Sequence, residues 1–96
     1  MYLEVEKLMR RAARAKQIFY SPHARDEMRN ENFDERDVLN CLLTGSIVED
    51  QYDGDRKYIW QGEALDGREL SLVTRFTYHN KVFVITVFWA QLFDYE

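Results

Sequence analysis

A small number of side chains here can move a proton or hold a phosphate, and they are far apart in sequence. His23 follows Ser21 and Pro22 in the stretch Tyr20-Ser21-Pro22-His23-Ala24. Histidine titrates near neutrality and serves as general acid or base, although a helix N-terminus disfavours its charged form. Arg75 sits in the middle of the extended run SLVTRFTY, where a planar guanidinium can hold a phosphate. Glu49 and Tyr58 lie in two other extended runs. With tight turns between these runs, Glu49 falls opposite Tyr58 and beside Arg75. A carboxylate, a phenol and an arginine in one row can cleave RNA through its 2′-OH. One group takes the 2′ proton, one protonates the leaving oxygen, and the arginine steadies the phosphorane charge. The plainer reading of the row is a cross-strand Glu–Arg ion pair beside a tyrosine. The plainer reading of His23 is a polar residue completing the first turn of a helix.

Other chemistries find less support. Cys41, His23 and His79 are the soft ligands, and none is paired at the short spacing a metal site uses. The sequence has no glycine-rich phosphate loop and no nucleophile elbow. No metal and no cofactor is expected. Cys41 falls inside an apolar helical pattern and reads as a core residue.

The elements that must carry these groups follow from pattern. The 96 residues are 46% hydrophobic, 31% charged and 15% aromatic, which describes one globular domain over 1–96. A single cysteine fits a reducing compartment. The N-terminus lacks an apolar signal core, and the longest apolar run, 82–90, is too short for a spanning helix. A cytoplasmic protein with no membrane role is expected. The net charge is −4, unusual for a free nucleic-acid binder. The charge is uneven, however. Residues 1–16 carry Lys7, Arg10, Arg11, Arg14 and Lys16 against Glu4 and Glu6, so Arg10 and Arg14 can form a local basic patch for RNA, or simply a solvated face.

Helical periodicity predicts a helix over 2–16, with Val5, Leu8, Met9 and Ala12 on one side. A short strand over 17–20 follows. Ser21 as N-cap and Pro22 in the first turn start a helix over 22–30. Asp34 caps a third over 34–44, with Asp37 echoing a capping box and Gly45 closing it in the left-handed conformation. The period then changes to two. Asp53-Gly54, Asp66-Gly67 and His79-Asn80 read as two-residue hairpin turns, giving a four-strand antiparallel meander over 46–52, 56–64, 69–78 and 81–90. In that register Tyr58 faces Arg75, and Arg75 faces Val84. One face holds Ile59, Leu70, Leu72, Phe76, Phe83, Ile85, Val87 and Trp89, to be covered by the helices. The open face holds Arg56, Tyr58, Trp60, Ser71, Val73, Arg75, Thr77, Val84, Thr86 and Phe88. Trp60 and Arg75 then offer a ligand or RNA platform, or a homodimer surface. The fold class is α+β, with helices packed on one face of the sheet.

The stretches YSPHARDEM, DERDVLNCLLTGSIVED, DGREL and VITVFW resemble a bacterial family of small domains of unknown function. Its mark is Ser-x-His-Ala ahead of a helix pair and a four-strand sheet, and the resemblance covers about residues 17–90. Members are often encoded beside a zinc-finger antitoxin, and their fold looks like that of the RelE and barnase-like ribonucleases. The resemblance therefore implies a toxin-type, metal-independent endoribonuclease, or a weakened relative of one, with an antitoxin protein as partner and RNA as substrate. It places His23 at the family histidine. Glu27 and Glu31 stand where the family often has arginine, which reverses the charge beside His23. Two other readings stay open: a non-catalytic interaction module, dimeric through the open sheet face, and an antitoxin-like regulatory partner.

Overall fold

The computed structural model describes residues 2–77 and 79–89. In chain order the elements are α1 (Leu3–Arg14), β1 (Ile18–Tyr20), α2 (Pro22–Glu31), α3 (Glu35–Thr44), β2 (Ser46–Asp53), β3 (Asp55–Glu63), β4 (Glu69–Thr77) and β5 (Lys81–Trp89). Local chemistry sets most of these ends. Acidic residues occupy the first turn of α1 and arginines its last, matching the helix dipole. Ser21 caps α2, its hydroxyl accepting from the Ala24 amide at 2.9 Å. Asp34 and Asp37 form a complete capping box on α3, firmer than the echo expected. No helix among the described residues is long and apolar enough to cross a membrane.

The described residues form an α+β fold: three helices and a five-strand sheet in the order β1-β5-β4-β3-β2. The expected four-strand meander is present, and β1 extends it. Ile18, Phe19 and Tyr20 pair in parallel with Val82, Phe83 and Val84. All three helices contribute to one core. Met9, Ala12, Ala24, Met28, Val38, Cys41 and Leu42 meet Ile47, Trp60, Leu72, Val84 and Val87 from the sheet.

The register differs from expectation by one residue in all three hairpins: loops explain the shifts between β3 and β4 and between β4 and β5, and that between β2 and β3 runs from the turn to a bulge at Val48. Between β3 and β4 the Ala64 amide donates to the Arg68 carbonyl (2.8 Å) and the Gly67 amide to the Ala64 carbonyl (3.0 Å). Only Gly67, at φ +90°, is left-handed there, and Asp66 is not. This is a three-residue loop ending in a glycine bulge, not a two-residue turn. Tyr58 therefore pairs with Thr74, and Trp60 with Leu72. Between β4 and β5, Thr77 pairs with Lys81, and Asn80 takes the left-handed position at φ 63°. Each added loop residue moves the pairing by one and exchanges the two faces. Tyr58, Trp60 and Val84 thus turn toward the helices, whereas Ile59 and Phe83 turn away. A bulge in β5 at Ile85, opposite Val73 and Thr74, returns Val87 to the core side as expected. Leu72 is buried as expected, Ile85 is only half-buried, and Arg75 points away from the helices.

Gly45 also departs from expectation. Its φ of −102° is extended, not left-handed. Its role is close approach: a Cβ there would lie 2.1 Å from the Gln61 carbonyl oxygen, and one on Gly62 would lie 2.4 Å from that of Cys41. The two glycines let the end of α3 rest directly on β3.

Candidate functional site

His23 lies in the first turn of α2, with its side chain 68% exposed. Its Nε2 is 3.2 Å from Oε2 of Glu27, one helical turn on. Glu27 is held in place, because its Oε1 accepts the Val87 amide at 2.8 Å. β1 pairs with β5 only through Val84, so Glu27 supplies an acceptor on the edge that β1 leaves uncovered. Ser21 fixes the same joint: its hydroxyl donates to the Ile85 carbonyl at 2.8 Å while capping α2. A titratable imidazole is thus oriented by a carboxylate that the sheet itself holds. The i,i+4 spacing of His23 and Glu27 was visible in sequence, but the anchoring of Glu27 was not.

The expected row of Glu49, Tyr58 and Arg75 does not form. Glu49 pairs with Ile59, and it is Asp50 that pairs with Tyr58, because a bulge at Val48 shifts β2. The Tyr58 ring turns to the helix side and meets Tyr2 edge-on, with centroids 6.4 Å apart. Arg75 is on the opposite face, its Nη1 donating to Asp55 at 2.9 Å.

Two of the three expected RNA-contacting residues have internal work instead. Trp60 is fully buried. The Arg10 guanidinium lies over its ring, 5.4 Å from the centroid. Arg10 also donates from Nε to the Leu42 carbonyl (3.0 Å) and from Nη2 to the Gly45 carbonyl (2.6 Å). It closes the C-terminus of α3, the task that a left-handed Gly45 would have had. Arg14 is exposed in the last turn of α1.

Carboxylates on the other two helices reach the sheet and its loops in the same manner as Glu27. Glu6 accepts the Ile47 amide at 2.8 Å, and Asp37 accepts the Leu65 amide at 3.0 Å. Burial pushes the Cys41 thiol up to about 12, which suits a packing residue and not a nucleophile. Among the described residues, no group of three His, Cys, Asp or Glu side chains converges as a metal site would.

On the face away from the helices, one row runs Phe19, Phe83, Arg75 across β1, β5 and β4. Lys81 Nζ lies 5.2 Å from the Phe19 ring centroid, and the Arg75 guanidinium lies 5.7 Å from that of Phe83. Sequence reasoning assigned Phe83 to the core because it assumed the shorter turn at His79-Asn80.

A small α+β domain with an oriented histidine, His23, and an aromatic–cationic sheet end is the class these features define. The chain belongs to the family described as Domain of unknown function (DUF4258), whose model matches residues 20–89. Neither a curated protein nor a solved structure matches the chain.

Proposed function

We propose that this protein is a weakened relative of the metal-independent, toxin-type endoribonucleases, with His23 as its acid–base group. The observation that carries the reading is the anchored pair: His23 Nε2 at 3.2 Å from Glu27, and Glu27 bound to the Val87 amide. An oriented base of this kind can take the proton of a ribose 2′-OH. The 2′ oxygen then attacks phosphorus, the bond to the 5′ oxygen breaks, and a water protonates the leaving oxygen, the hydroxide so formed taking back the proton held by His23. The products are a 2′,3′-cyclic phosphate and a 5′-hydroxyl. The reaction is slow because Arg75, the expected stabiliser of the phosphorane charge, lies beyond the sheet and is paired with Asp55. The resemblance of the sequence to a small-domain family whose fold looks like that of the RelE and barnase-like ribonucleases, and whose members are often encoded beside an antitoxin, supports the same reading and makes an antitoxin the expected partner.

The test is cleavage of single-stranded RNA by purified protein in EDTA, since no step is routed through a metal. His23→Ala should lower the rate about 10²–10⁴-fold without changing the circular dichroism spectrum. Equal rates for wild type and His23→Ala, or intact RNA at high protein and low salt, end the proposal. A second reading, the non-catalytic interaction module, is favoured by the division of Glu49, Tyr58 and Arg75 between two faces. Under it, expression is harmless and RNA remains intact.

A further inference from the structure

We infer that the open end of the sheet formed by Phe19, Phe83, Arg75 and Lys81 is a stacking platform for single-stranded RNA. The inference rests on the RNA reading above but names a different surface and a different task. Phe19 and Phe83 are register neighbours on β1 and β5, with Phe19 43% exposed. Each ring has its own cation, Lys81 for Phe19 and Arg75 for Phe83. The two cations lie over the rings, so successive unpaired bases stack as the exposed Lys81 side chain swings from the Phe19 face to a phosphate and Arg75 exchanges Asp55 for another. Arg75 is also held by Asp55, to which its Nη1 donates at 2.9 Å, so a phosphate at Phe83 takes the place of that carboxylate. A duplex, whose bases are already stacked and paired, cannot use the rings. The platform therefore selects single strands, and it compensates locally for the acidic net charge of −4.

The experiment is fluorescence anisotropy at low salt with a labelled ten-nucleotide single-stranded RNA, against a duplex of the same length. Phe19→Ala should weaken single-strand binding about 30-fold, the middle of the range for one stacked base. Phe19→Tyr should restore it, and Phe83→Leu, which keeps the packing volume, should weaken it similarly. Lys81→Ala should lower the slope of log affinity against log salt by about 0.7, one phosphate contact on a single strand. The duplex should bind more weakly than the single strand. Unchanged affinity in both phenylalanine variants overturns the inference. So does a wild-type dimer that Phe19→Ala converts to a monomer without any RNA binding, because the face is then an interface between copies. The two proposals fail separately. Phenylalanine-dependent binding without His23-dependent cleavage keeps the platform and ends the ribonuclease reading. Cleavage that is indifferent to Phe19 and Phe83 does the reverse.

Discussion

Arg10→Ala should destabilise the fold strongly, and the structure sets the scale. The guanidinium donates to two carbonyls at the end of α3, Leu42 at 3.0 Å and Gly45 at 2.6 Å, and stacks over the buried Trp60 ring. Hydrogen bonds to charged groups contribute about 1.5–3 kcal/mol each. The side chain of Arg10 is 23% exposed, so water recovers part of both, and the lower end applies. The cation–π contact adds about 0.5–1 kcal/mol. Glu6, 7% exposed, also loses the cation 3.8 Å away, though it keeps the Ile47 amide. The expected loss is about 2–4 kcal/mol, a large part of the ~5–15 kcal/mol available to a small domain. With a urea slope of about 1.5 kcal/mol per molar, the midpoint should fall by about 1.3–2.7 M, followed by tryptophan fluorescence. Arg10→Lys should recover roughly half, because one ammonium cannot span both carbonyls. Arg14→Ala, at an exposed position, should leave the midpoint unchanged. An Arg10→Ala midpoint within about 0.3 M of wild type would refute the capping argument.

Gly62→Ala should prevent folding or lower the melting temperature sharply, because its Cβ would meet the Cys41 backbone oxygen at 2.4 Å and neither backbone can move freely; thermal circular dichroism decides it. Burial holds the Cys41 thiol up at about 12, so labelling by iodoacetamide at pH 8 should proceed only through unfolding and accelerate with urea. Labelling at the rate of a free thiol would contradict this. Burial, reinforced by Glu35 and opposed by Arg25, raises the Tyr20 phenol from 10.0 to about 12. The folded state then binds that proton more tightly than the unfolded state, so this stability is complete below pH 10 and is lost as pH rises toward 12. Tyr20→Phe should remove that part of the alkaline decline, measured as urea midpoints between pH 9 and pH 12.

What the sequence by itself determined was the set of elements. Ser21 with Pro22, and Asp34 with Asp37, announce helix starts through contacts spanning three residues, so a short window contains the whole cause. The change of period after Gly45 marks where strands begin for the same reason. His23 as the group to test was likewise legible, since its place after the cap is a local fact. What only the tertiary structure decided was which side of β3, and of β5 before its bulge, faces the helices. An Asp-Gly pair suits a two-residue turn, but it also suits the end of a three-residue loop, and Asp66-Gly67 adopts the second. That choice is made far from the loop, by burial of Trp60 in the core beneath Arg10 and by Arg10 reaching across to the end of α3. Burying a tryptophan outweighs a turn preference, because apolar area counts at about 25 cal/mol per Å² over a ring of 150–250 Å². That one-residue choice separated Tyr58 from Arg75, and a second one, at His79-Asn80, put Phe83 on the open face beside Phe19. A site that depends on register is therefore decided by the core, and the core is a non-local property of the chain.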